Sequence, residues 1–210
     1  MTDRTLFDGR PVLSFQRERD RRNFLKWAAV IGVGGSLAVA AKDRFAAAQS
    51  GGGDVGILNY ALTLEYLERD FFRRGLQEEL LSGRDAELVE PILAHENEHV
   101  SILSSTIEKL GATAVEAPEP TYPSGTFGSA RRWLETASML EDLGVSAYHG
   151  QVTRIESPEL LQAAASIAGV ESRHAAILRE LTGADPFPAP LEQPKIRAQV
   201  LKAAQLFIKS

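Results

Sequence analysis

The sequence predicts an all-α protein, a four-helix bundle with one long crossover and a short helix near the C-terminus. Apolar residues recur at helical spacing through most of residues 54–183, and no segment sustains the period-two alternation of a half-buried strand. A connection rich in turn formers, with Pro118, Pro120, Pro123, Gly125 and Gly128, interrupts that pattern midway. The stretches on either side of the interruption repeat one another.

The elements follow in order. Asp54, a helix-capping residue type, opens a first helix expected to run to about Arg74. A second is expected from about Asp85 to Leu110, with Pro91 bending it near its start. After the crossover come a third helix from about Ser129 to Gly150 and a fourth from about Pro158 to Leu181. Gly111 and Gly183 lie just past the ends of the second and fourth, where glycine accepts the left-handed stop. Residues 184–210 begin with a Pro-rich segment and end in a short amphipathic helix. Its apolar stripe is Val200, Ala203, Ala204 and Phe207, expected to pack on the bundle or on a second subunit of a homo-oligomer.

The repeat is legible residue by residue. A shift of 76 places Ala61-Leu62-Thr63-Leu64-Glu65-Tyr66-Leu67 on Ala137-Ser138-Met139-Leu140-Glu141-Asp142-Leu143. A shift of 75 places Ile92, Glu96, His99, Ile102 and Leu103 on Ile167, Glu171, His174, Ile177 and Leu178. Each half is a helical hairpin with one Glu on its first helix and Glu-x-x-His on its second. Two such hairpins joined by one long connection make the ferritin-like arrangement of four helices.

The spacing points to metal. Residues three apart on a helix share a face, so Glu96 with His99 and Glu171 with His174 can each reach one ion. Glu65 is in phase with Leu58, Ala61, Leu62 and Phe72, and Glu141 with Leu134, Ala137, Val145 and Tyr148. Ile167, Ala168, Ala175 and Leu178 flank Glu171 and His174 in the same way. Carboxylates on apolar faces are strongly unfavourable unless paired or bound to metal. Four carboxylates and two imidazoles, with no sulfur, suit two iron or manganese ions better than copper or a structural zinc. Glu68, three residues from Glu65, is a competing ligand, whereas Glu135 breaks the repeat spacing. Glu98, Arg173 and His149 read as surface residues. Tyr66 and Tyr148 read as core or interface tyrosines, with support of the metal ligands as their other role.

Ala94-His95-Glu96-Asn97-Glu98-His99-Val100 also contains His-Glu-x-x-His, the zinc-protease pattern. The repeat argues against that reading, because Val170 stands where a counterpart of His95 would be. A third protein ligand and a sheet edge for substrate are also lacking in the sequence pattern. His95 reads as an accidental neighbour of a genuine Glu-x-x-His.

Residues 1–48 form a separate part. They carry nine Lys/Arg against five Asp/Glu, whereas residues 49–210 carry 14 against 23. Arg21-Arg22-Asn23-Phe24-Leu25-Lys26 is followed by an apolar run over residues 27–41 and then by Ala46-Ala47-Ala48. A charged region, a short apolar run and small residues at a cleavage site make a signal peptide. The run falls short of the roughly 20 residues of a membrane span, and its three glycines weaken a helix further. The order resembles a twin-arginine signal, with Asp20 where Ser or Thr is usual. The resemblance implies export of a folded protein by the twin-arginine machinery to the periplasm or cell envelope. Cleavage is expected after Ala48, with Ala38-Val39-Ala40 as a second candidate.

Over residues 54–183 the marks LTLEYLERDFF, AHENEHV, LEDLGVSAYHG and VESRHAAILREL resemble the bacterial ferritin-like domain family related to desiccation-associated proteins. The resemblance implies a bundle over residues 49–183 and, by position, the ligand set Glu65, Glu96, His99, Glu141, Glu171 and His174. Oxidation of ferrous iron by oxygen or peroxide, of ferroxidase or peroxidase type and in defence of the envelope, is the activity expected of two such ions. The alternative is a non-enzymatic structural or metal-binding protein of stress or desiccation. The chain has no cysteine, which excludes disulfides and thiolate sites, and its acidic, aromatic-poor body excludes a nucleic-acid surface.

Overall fold

The computed structural model describes residues 52–209; the export signal expected in residues 1–48 lies outside them. Five α-helices follow in order: α1 Gly53–Gln77, α2 Gly83–Lys109, α3 Ala130–Gln151, α4 Pro158–Thr182 and α5 Arg197–Ala204. Among the described residues the only β-type pairing is an isolated bridge between Pro120 and Ile208, and no helix is long and apolar enough to cross a membrane.

Local chemistry fixes the helix ends. Ser129 and Ser157 precede α3 and α4, and their hydroxyls accept the backbone N–H of Arg132 and Leu160, three residues on. Pro158 occupies the first turn of α4, where its missing N–H has no helical partner to lose. Gly111 and Gly183 take the left-handed conformation beyond α2 and α4, with φ of 75° and 77°.

Asp54 does not cap α1. The capping position is Gly52, without a side-chain bond. The Asp54 carboxylate instead accepts the N–H groups of Glu156 and Ser157 at 2.8 and 2.9 Å, tying the start of α1 to the start of α4. Pro91 lies inside α2, which runs through it to Lys109. Glu87, whose carbonyl loses its helical donor at that proline, is exposed to water.

Helices α1 and α2 form one hairpin and α3 and α4 the other; α1 packs on α3, and α2 on α4. Two apolar clusters fill the bundle. One gathers Leu67, Phe71, Phe72, Ile92, Trp133 and Leu178, and the other Leu58, Leu62, Val100, Ile107 and Ile167. Each fully buried large side chain in them contributes about 1.5–3 kcal/mol. Along all four long helices a layer of acids and histidines falls between the residues of these clusters.

The C-terminal segment closes on the same bundle. Helix α5 packs on α3, and Val200, Leu201, Ala204 and Phe207 join the first cluster, with Ala203 partly buried beside them. Beyond α5 the chain pairs with the crossover: Thr121 donates to the Phe207 carbonyl at 3.0 Å, and Lys209 to that of Glu119 at 2.9 Å.

Candidate metal centre

The polar layer is built from all four long helices. Helix α1 supplies Glu65, α2 Glu96 and His99, α3 Glu141, and α4 Glu171 and His174. The four carboxylates are 0% exposed and the two imidazoles 5% and 3%. Ligand-type atoms of Glu65, Glu96, His99 and Glu171 lie within 4.8 Å of one another, and so do those of Glu96, Glu141, Glu171 and His174. Glu96 and Glu171 belong to both groups. Each group is completed by one Glu from the first helix of a hairpin and one His from the second. The sixfold set read from the repeat is thus brought together in one place.

Distances within the layer are short. His99 Nδ1 stands 3.0 Å from Glu171 Oε1, 3.2 Å from Glu65 Oε2 and 3.3 Å from Glu96 Oε2. His174 Nδ1 stands 3.2 Å from Glu96 Oε1 and 3.4 Å from Glu141 Oε2. Burial pushes the Glu141 carboxyl well above its ordinary range, and the charges of Glu171 and Glu96 add to the effect. Burial also raises Glu96, although the imidazoles of His174 and His99 beside it offset part of the rise. For His99 burial acts downwards, but the carboxylates of Glu171, Glu65 and Glu96 outweigh it and push the imidazole up to about 12.

The donor set fits hard divalent cations. Glu96 Oε1, both oxygens of Glu141 and of Glu171, and His174 Nδ1 are buried without a hydrogen-bond partner. Unsatisfied oxygens and an imidazole nitrogen converging on one place are costly as they stand. They are what an oxygen- and nitrogen-seeking cation completes.

Three neighbours are more closely involved than their sequence context shows. Tyr148 is buried and its hydroxyl donates a short hydrogen bond to Glu65 Oε1, so it supports the site rather than merely filling core. Its position on the Glu141 stripe was the available signal. His95 is exposed, yet its Nδ1 lies 2.9 Å from His174 Nε2, so it is not an idle neighbour. Nothing in the repeat marks it, because contact across helices depends on rotation about the helix axis. Glu68 is 2% exposed and lies outside both four-residue groups.

The remaining candidates separate cleanly. Glu135 pairs with Arg131 at 2.9 Å on an exposed face, and Glu98 and Arg173 are exposed. Tyr66 is partly buried beneath the Arg69 guanidinium, 5.0 Å from its ring. His149 is half-buried, its Nδ1 2.9 Å from the Val145 carbonyl of its own helix.

A ferritin-like domain model matches residues 53–184, which span all four long helices and the acid–histidine layer. The chain belongs to the ferritin-like family. No curated protein matches it. Within the ferritin-like fold, the match covers both hairpins and the crossover and ends just beyond α4, before α5 begins.

Proposed function

We propose that this ferritin-like protein is exported by the twin-arginine route and holds two iron ions, with manganese as the alternative, in its acid–histidine layer. In this reading Glu96 and Glu171 would be shared by the two positions, Glu65 and His99 would complete one, and Glu141 and His174 the other. The observation that carries the metal reading is the convergence of buried carboxylate and imidazole groups from all four helices, with those of Glu96, Glu141, Glu171 and His174 holding unpartnered atoms.

When bound, an iron pair would supply one-electron redox chemistry, with oxygen or peroxide as the electron acceptor. The chain's own part is to hold and orient. Tyr148 fixes Glu65, and His95 faces the outer nitrogen of His174. The apolar clusters on either side limit water and competing reactions. Ferrous iron is the substrate, oxygen or peroxide the oxidant, and protection of the cell envelope the role.

Adding ferrous iron to the metal-stripped protein in air, with near-ultraviolet absorbance and oxygen consumption followed together, tests the activity. Turnover faster than buffer alone, lost in Glu96→Ala, supports it. Stoichiometric binding that raises the melting temperature without turnover supports the non-enzymatic stress or desiccation role instead. Export is tested separately by replacing Arg21 and Arg22 with lysine, which should retain the protein in the cytoplasm; unchanged export overturns the route.

A further inference from the structure

Glu68 is the buried acid that the six-residue set leaves over. It stands one turn beyond Glu65 on α1, is 2% exposed, and its Oε2 has no hydrogen-bond partner. A carboxyl group buried in that way is unfavourable unless something else recovers the cost.

Its surroundings point to what that is. The 76-residue shift that sets Glu65 on Glu141 sets Glu68 on Gly144. A Cβ at Gly144 would lie 2.7 Å from Glu68 Oε1 and 3.2 Å from Glu171 Oε2. The Glu68 carboxylate therefore reaches across to α3 and fills the space beside its own repeat counterpart, next to an acid shared by both groups. The first hairpin supplies an extra carboxylate, and the second supplies the room for it. Alanine at position 144 would oblige the Glu68 carboxylate to shift.

We propose that Glu68 is a seventh protein ligand for a hard divalent cation in this centre, engaged by a side-chain rotation toward Glu171, and that it makes the two metal positions unequal. The proposal rests on the metal-binding reading given above. Six ligands related by the repeat would give the two positions equal numbers of protein donors. A seventh without a counterpart strengthens one.

Manganese(II) added to the metal-stripped full chain, with free ion followed by electron paramagnetic resonance, reads both affinities. Wild type should bind in two unequal steps. Glu68→Gln, which preserves volume and removes the charge, should weaken one step by about tenfold or more and spare the other. Glu68→Ala, which removes the carboxylate and leaves Gly144 and Glu171 as they are, should do the same, and it carries the test if Glu68→Gln does not fold. Glu135→Gln, on an exposed face, is the control. Both affinities within about twofold of wild type, in whichever of the two variants folds, would overturn the seventh ligand while leaving the centre standing. A wild-type protein that binds neither manganese nor iron would overturn the metal reading itself, and the seventh ligand with it.

Discussion

His95 Nδ1 stands 2.9 Å from His174 Nε2, with the two ring planes within 6° of parallel. His174 turns its other nitrogen, Nδ1, toward Glu96 and Glu141. A cation on Nδ1 would leave the proton on Nε2, to be donated to His95. Burial and the neighbouring imidazoles of His174 and His99 lower the His95 pKa, which favours the neutral ring that accepts it. His95→Ala should therefore leave the number of bound ions unchanged but weaken their affinity by about tenfold. A chelator-competition titration checks this, and an unchanged affinity would return His95 to the status of a bystander.

Glu171 belongs to both four-residue groups. Elemental analysis of protein expressed with iron or manganese should find about two ions per chain, as in carboxylate-bridged bundles. Glu171→Ala should lower both occupancies, whereas His99→Ala should lower chiefly one. Full occupancy in Glu171→Ala would rule out the bridging assignment.

The proposed metal binding and stability would pull against each other at Glu141. Both of its oxygens are buried without a partner. In protein stripped of metal, Glu141→Leu should raise stability by roughly 1–4 kcal/mol, the range for replacing buried ionisable groups with apolar packing of similar volume. At about 2–4 °C per kcal/mol the change is visible in a melting curve. A lower melting temperature would show that the acid serves packing rather than metal.

The same layer sets the pH response. Burial holds Glu141 well above, and Glu96 above, the ordinary 4.5, so the folded, metal-stripped protein keeps protons that the unfolded chain releases above that pH. His99, pushed up to about 12 by its carboxylates against the effect of burial, behaves alike above its ordinary 6.5. Stability of the stripped protein should accordingly fall as pH rises from 4.5 toward 12. Loading with metal should release protons and flatten that fall. Melting curves across this range, with and without metal, decide it; a melting temperature that rises with pH in the stripped protein would contradict it.

Phe207 is 2% exposed, and the backbone beside it pairs with the crossover. Phe207→Ala should destabilise the fold by about 3–5 kcal/mol. Chemical denaturation measures this directly. A loss below about 1 kcal/mol, the scale of an exposed site, would mean that the tail is a dispensable cover.

The hairpins and the meeting of six side chains were legible because the repeat states them twice. Phase errors at one Glu are corrected by its counterpart 75 or 76 positions on. What the repeat does not state twice was legible only as an alternative, as for Glu68 and Tyr148, or not at all, as for His95. Glu68, His95 and Tyr148 face Gly144, Val170 and Phe72 in the register, so no second copy reveals their inward contacts. Asp54 shows a different limit. A carboxylate at a helix start looks the same in sequence whether it caps its own helix or, as here, holds the first residues before another. The tail's stripe was visible, but its partner was not, since an apolar face names no surface to cover it.

Division of the polar layer between the hairpins has a mechanical consequence. Glu65, Glu96 and His99 stand on one side of the crossover and Glu141, Glu171 and His174 on the other. Neither hairpin alone carries a complete group, so a cation held there would fasten one hairpin to the other at mid-height. Without it, four carboxyl groups face one another across the same seam. That seam is where the two halves should first part, and amide exchange along α1 and α3 should slow on loading at Glu65 and Glu141 before it slows at the helix ends.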